Sequence, residues 1–307
     1  MKLPRFEDFK ADFANKIWLE AAKLVCRKHR VSFKRLARAA HGESIIFLAD
    51  DRFVIKIYVP GKNGFEREKA ALEIARTSLK IPEIVALGEI EGYKYLITTQ
   101  LPGELMTRET WLKLESPEQI SVLTQLAAGL RELHASDGAK IAFDWDKFIE
   151  HQAVTCFERQ KACQVNEEVL GEIPPFLEEN LKLLPAKPEM VFLHGDVHFG
   201  NLRLLNINGK WQISGLFDFA DSLNGFREYE FLAVGLLMIQ GQGSLQREFF
   251  RAFGYTDAEI NEEMRRRLML LTMFYECSDL RRYAIRLRPE AVDYSLLKLE
   301  RAIWNFC

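Results

Sequence analysis

Residues 190–221 read Met-Val-Phe-Leu-His-Gly-Asp-Val-His-Phe-Gly-Asn-Leu-Arg-Leu-Leu-Asn-Ile-Asn-Gly-Lys-Trp-Gln-Ile-Ser-Gly-Leu-Phe-Asp-Phe-Ala-Asp, and this stretch decides the fold. The run from Met190 to Leu193 is apolar and of strand length. A polar loop with His194, Asp196, His198 and Asn201 follows. Residues 202–205 read as a second strand, Asn208-Gly209 as a two-residue hairpin turn, and residues 211–217 as the returning strand, with Asp218 directly after it. Asn201 and Asp218 stand at nearly equal distances from that turn, so closing the hairpin brings the Asn201 amide oxygen beside the Asp218 carboxylate. Asp196 lies five residues before Asn201, on the loop feeding the same end. Two oxygen ligands beside a third carboxylate suit a hard cation such as Mg2+. The same set suits phosphoryl transfer, in which one Asp orients an acceptor hydroxyl while an Asn and a second Asp hold metal on nucleotide phosphates.

The spacing Asp-x-x-x-x-Asn is that of the protein-kinase catalytic loop. The wording around it differs. His-Gly-Asp-x-His-x-x-Asn at 194–201, with Asp-Phe at 218–219, resembles the aminoglycoside phosphotransferase and choline kinase branch of the kinase-like fold. The resemblance spans about residues 35–300 and is most specific at 42–68, 95–103 and 194–230. It implies an α+β, bilobal protein-kinase-like fold, with an antiparallel β N-lobe holding one inserted helix and a mostly helical C-lobe. The expected division is 1–100 for an N-terminal helix and nucleotide-binding β lobe, and 101–307 for a helical catalytic and acceptor-binding lobe.

Composition sets the bounds. The 307 residues are enough for two lobes with a real core. A formal net charge of -2 gives no bulk attraction to nucleic acid. Five widely spread cysteines argue against a disulfide framework and for a reducing, cytoplasmic setting. The first ten residues include acids and no apolar stretch, so they do not read as a signal peptide. The apolar run near 231–239 falls far short of a membrane span. Charge is unevenly spread: residues 1–60 carry 13 Lys/Arg against 7 Asp/Glu, and residues 101–180 carry 7 against 15. A basic first part suits nucleotide phosphates. An acidic middle suits a cationic acceptor, and equally a solvated helical surface.

In the N-terminal part, residues 6–29 read as one amphipathic helix, followed by strand-like runs at 33–40, 44–48 and 53–59. Gly42 lets the first turn approach a ligand closely, and Ser44 offers a donor to phosphate. Lys56 sits in Val-Ile-Lys-Ile-Tyr, where a charge is costly unless it meets anions. In kinase-like folds that lysine contacts the α and β phosphates and pairs with a helix glutamate. The helix expected at 64–78 offers Glu66 and Glu68, and Glu68 is preferred because Arg-Glu-x-x-x-Leu resembles the family pattern. Residues 84–90 and 93–99 form a hairpin about Glu91-Gly92, and Leu-Pro-Gly at 101–103 also resembles the family. The resemblance implies that backbone groups from Thr99 to Leu101 hold the nucleobase.

Further helices are expected at 117–134, with Ser116 as cap, and at 145–163, 169–184, 229–240, 245–253, 257–287 and 289–306, with Pro174-Pro175 interrupting the third. Wording at 145–148, 173–177 and 218–222 is also similar to the hygromycin phosphotransferases. Glu228, Glu230, Glu276 and Asp279 are candidates either for an acceptor cleft or for structural pairs. The family often has Gly-Asp-Pro-x-Tyr-Asp after the metal Asp; residues 225–230 keep only the Gly, Tyr229 and an acid, Glu230.

The resemblance implies an ATP-dependent phosphotransferase, with GTP also open, acting on a hydroxyl of a small molecule that is aminoglycoside-like or an amino alcohol. Lys56, held by Glu68, would bind phosphates; Asn201 and Asp218 would hold Mg2+; Asp196 would take the acceptor proton. Two other readings stand beside it. One is a kinase-fold nucleotide-binding protein without turnover, against which four retained polar residues argue. The other is a protein kinase, against which the absence of Ala-Pro-Glu after Asp218 argues. Oligomeric state is left open.

Overall fold

The computed structural model describes residues 3–9, 13–39 and 42–307. Its first part is an antiparallel sheet of five strands, β1 (Leu36–Arg38), β2 (Ile45–Ala49), β3 (Phe53–Ile57), β4 (Ile84–Ile90) and β5 (Tyr93–Thr99), in the order β1-β2-β3-β5-β4. The turn residues do what their chemistry favours. Asp50 and Asp51 (φ 52° and 53°) and Glu91-Gly92 (φ 50° and 86°) take the left-handed conformations that two-residue hairpins need. One face of the sheet buries Ile55, Ile57, Tyr95 and Ile97 against α1 (Ile17–Lys28). The other face meets α2 (Gly64–Ile74), inserted between β3 and β4, where Leu96 packs with Phe65.

The single helix expected over 6–29 is not formed. A 3₁₀ turn spans Phe6–Asp8, and α1 starts only at Ile17, whose N–H is taken by Asn15 Oδ1 at 2.9 Å. The aromatic spacing serves packing on the sheet instead: the Phe9 ring lies 5.4 Å from Trp18 and 5.8 Å from Tyr93. Residues 10–12, and Ala40 and His41 at the end of the first expected strand, lie outside the described residues.

The second part is mostly helical. It contains α3 (Arg108–Lys113), α4 (Ser116–His134), α5 (Trp145–Ala162), α6 (Glu167–Asn180), α7 (Phe231–Ala233), α8 (Gly243–Phe253), α9 (Glu262–Phe274), α10 (Leu280–Leu287) and α11 (Leu296–Ile303). α4 begins one residue earlier than Ser116 as cap would allow. Glu115 caps it in a reciprocal box with Glu118. α4 runs through the core, with Leu123, Leu126, Leu130 and Leu133 fully buried. α6 continues through Pro174-Pro175 without interruption.

Two small sheets carry the central stretch. β7 (Met190–Leu193) pairs with β10 (Leu223–Phe226), and the hairpin of β8 (Leu202–Ile207) and β9 (Lys210–Leu216) is joined by β6 (Glu104–Leu105). Asn208 (φ 53°) and Gly209 (φ 80°) make the expected turn. The helix expected over 257–287 is broken in two. Asn261 caps α9 by accepting from Met264 N at 3.0 Å, and Asp279 caps α10 by accepting from Arg282 N at 2.8 Å. Residues 275–279 cross between them. Likewise, 229–240 is a 3₁₀ turn, a short helix and a π-helical segment, and 289–306 is a 3₁₀ turn before α11.

Candidate active site

Lys56 joins the two parts. Its strand position places it opposite Ile46 and Leu96. Its Nζ lies 2.6 Å from Glu68 Oε2 on α2 and 2.6 Å from Asp218 Oδ1 beyond β9. Burial works against the ammonium, but the Asp218 and Glu68 carboxylates outweigh it and hold its pKa above the ordinary lysine value. Tyr58 donates its hydroxyl to the same Glu68 oxygen at 2.6 Å. Glu66 instead pairs with Lys94.

Asp196 sits on the loop after β7. Asn201 Nδ2 donates to its main-chain oxygen at 2.9 Å and to its Oδ2 at 3.2 Å. His198 Nδ1 accepts from Gly200 N at 2.9 Å, so its Nε2 carries the proton and faces Asp196 Oδ2 at 3.3 Å. Tyr275, from the crossing segment, donates to Oδ1 at 3.2 Å. Burial favours the protonated acid, yet His198, with help from His194 and Tyr275, holds the Asp196 pKa below the usual carboxylate value. The loop is itself braced. His194 Nδ1 accepts from Asp196 N at 3.3 Å, which leaves Nε2 to donate to Phe217 O at 3.0 Å. Buried Glu230 accepts from His194 N at 2.7 Å and Gly195 N at 3.0 Å, and His134 Nε2 lies 3.4 Å away.

Asn201 and Asp218 meet at the hairpin mouth. Phe217 N donates to Asn201 O at 3.0 Å, which sets Asn201 one residue and Asp218 two residues beyond the last strand pair, Leu202 with Leu216. Asp218 holds φ 67° and ψ 67°, a left-handed conformation uncommon outside glycine and tolerated best by Asn and Asp. Burial raises its pKa, and Lys56 more than offsets that, so it stays ionised. Its side chain is 37% exposed, which leaves oxygen open to the cleft. With Asn201 Nδ2 committed to Asp196, the amide oxygen of Asn201 is the atom left for a cation. One carboxylate and one amide oxygen fit Mg2+, which keeps waters and phosphate oxygens for its other positions. Asp221, one turn on, is pushed up to about 6 by burial and by the charges of Asp196, Asp218 and Glu276.

The remaining expected residues lie in the turns and strand ends of the five-stranded sheet and just beyond it. Gly42 (φ 130°) and buried Ser44 form the β1–β2 turn; a Cβ on Gly42 would stand 3.1 Å from Ile46, the residue opposite Lys56. Thr99 ends β5, and its N–H goes to Glu83 O while Glu83 N goes to its hydroxyl. Leu101, buried just beyond, has a backbone N–H with no partner among the described residues. Of the four acids left open by sequence, three are occupied: Glu228 pairs with Arg267 at 2.7 Å, Glu230 braces the loop, and Asp279 caps α10. Glu276 stays exposed beside Asp221. Sequence reasoning missed Tyr275, Tyr58, the bracing role of Glu230 and Asp221. For Tyr275 a signal existed in the caps Asn261 and Asp279, which divide the long helical run.

A lysine strand tied to a helix glutamate, over a hairpin with Asp196, Asn201 and Asp218 at its mouth, is the arrangement of a kinase-like phosphotransferase site. The chain belongs to the phosphotransferase enzyme family, whose model matches residues 32–270. The chain is similar to the wild-type aminoglycoside 2'-phosphotransferase-IIIa solved with GDP, at 15% identity and TM-score 0.70, over 95% of this chain and 99% of that one. It is similar to the ADP-bound aminoglycoside phosphotransferase APH(2'')-Ib at 21% identity and TM-score 0.57, over 93% and 98%. A thermostable mutant of APH(4)-Ia, solved with ADP and hygromycin B, matches at 18% identity and TM-score 0.61, over 92% and 97%. At such identities the likeness is one of fold. No curated protein sequence matches the chain.

Proposed function

We propose that this phosphotransferase moves the γ-phosphoryl group of ATP or GTP to a hydroxyl of a cationic small molecule, an amino sugar or amino alcohol. The observation that carries the reading is Asp196, an ionised carboxylate fixed by side-chain donors at the same hairpin mouth as the Lys56–Asp218 pair. Solved relatives that bind GDP, ADP, kanamycin or hygromycin B support it.

Lys56, oriented by Glu68, binds the α and β phosphates. The turn at Gly42 and Ser44 closes over them. The Thr99 carbonyl and the Leu101 N–H hold the nucleobase edge between the two parts. Asn201 and Asp218 would hold Mg2+, which when bound would neutralise phosphate charge. Asp196 accepts a hydrogen bond from the acceptor hydroxyl, aligns it with the phosphorus and takes its proton late. Positioning and charge neutralisation supply most of the rate for a loose transition state. Asp221 and Glu276 add negative charge on the acceptor side, which suits an ammonium group. Five free thiols fit a reducing, cytoplasmic setting. No helix among the described residues is long and apolar enough to cross a membrane.

The test is Mg2+-dependent nucleotide consumption over a panel of amino sugars (kanamycin and hygromycin B included), amino alcohols, amino acids and neutral sugars. We expect stimulation by a cationic class and none with Asp196→Asn. No stimulation by any class, with nucleotide binding intact, would count against transfer.

A further inference from the structure

We propose that Tyr275 is a positioning residue for the transfer step: its hydroxyl fixes the Asp196 carboxylate so that one lone pair of Oδ1 stays open to the acceptor hydroxyl. The inference rests on the role given to Asp196 above.

A carboxylate offers about four acceptor sites. Three are taken: Asn201 Nδ2 and His198 Nε2 both point at Oδ2, at 3.2 and 3.3 Å, and Tyr275 donates to Oδ1 at 3.2 Å. The fourth is on Oδ1, beside the Tyr275 hydroxyl. That hydroxyl donates here, because an ionised carboxylate only accepts, and burial, reinforced by the Asp196 charge, keeps its proton on by holding its pKa well above the ordinary tyrosine value. The terminal torsion of an aspartate is broad. Donors on both oxygens narrow it, and the acceptor then meets a fixed lone pair rather than a rotating one.

The crossing segment is built to hold this ring. Arg159 Nη2 donates to Met273 O at 2.8 Å, where α9 ends. Fully buried Gln160 donates to Ser278 Oγ at 2.9 Å and accepts from Leu280 N at 2.9 Å. Tyr229 accepts from Glu276 N at 3.2 Å, and its ring lies 5.7 Å from that of Tyr275. Tyr275 itself is 6% exposed. A break serving only to connect two helices has no use for a buried glutamine and an arginine reaching across from α5.

Tyr275→Phe keeps the ring and removes the hydroxyl. With the acceptor that stimulates the wild type most, we expect kcat to fall about ten- to hundredfold, the scale of a misaligned reacting group. Both KM values should stay within about twofold, and the variant should stay folded at the assay temperature, with its thermal midpoint lowered by no more than one lost hydrogen bond brings. An acceptor-binding role would raise the acceptor KM, and a structural role would leave the variant unfolded at the assay temperature; either result, or an unchanged kcat, overturns the proposal. Transfer that survives in Asp196→Asn would instead remove the reading of Asp196 itself. A wild type with no transfer to any panel member removes both.

Discussion

Lys56 shows how much one residue can say. A charge in an apolar strand needs anions, and that requirement is legible in the sequence alone. The partners are harder to read. Glu68 over Glu66 rests on wording, and the geometry behind it is a 2.6 Å contact to Lys56 with Tyr58 on the same oxygen. Tyr58 is not legible, because its hydroxyl serves a residue on a different element. Replacing Lys56 by Met leaves Glu68, whose side chain is 7% exposed, without its cation. Removing one partner of a buried pair costs about 3 kcal/mol. Urea unfolding at neutral pH should show that loss, and adding Glu68→Leu should restore much of it. An unchanged midpoint for Lys56→Met alone would mean that Glu68 does not depend on Lys56 for its stability.

At the scale of elements, the hairpin turns are legible because their chemistry is local: Asn208-Gly209 and Glu91-Gly92 carry their own conformational preference. The long helical run over 257–287 misleads because its interruption depends on distant groups. Arg159 and Gln160 belong to α5, more than a hundred residues before the segment they hold. The pairing of β7 with β10 is non-local in the same way. Gly195 ties these elements together. It holds φ 85°, and a Cβ there would stand 2.4 Å from the Asp221 carbonyl oxygen. Its N–H also feeds Glu230. Gly195→Ala is therefore expected to cost about 1–3 kcal/mol of stability from backbone strain, and to lower turnover by displacing Asp196. Chemical denaturation and steady-state rates on the same preparation check both, and a variant as stable and active as the parent would show that the loop yields freely.

The whole molecule sets a sheet carrying Lys56 over a helical part carrying Asp196, Asn201 and Asp218. Bilobal architecture is legible from the order of strands and helices and from the motif that resembles the family. What sequence leaves open is where segments between helices, such as 275–279, come to lie, because groups on distant elements hold them. β10 and a 3₁₀ turn follow Asp218 within about ten residues, too few for a long peptide-docking segment, which favours a small acceptor over a protein. The proposed function gives the two aspartates of the centre separate roles, with Asp218 serving the nucleotide and its metal and Asp196 serving the acceptor. Isothermal titration of Mg2+ and ATP into Asp196→Asn and Asp218→Ala tests that division most directly. The expected result is near-parental nucleotide affinity for Asp196→Asn, with transfer abolished, and a loss of at least about tenfold for Asp218→Ala, or about 1.4 kcal/mol. Equal losses of affinity in the two variants would contradict it.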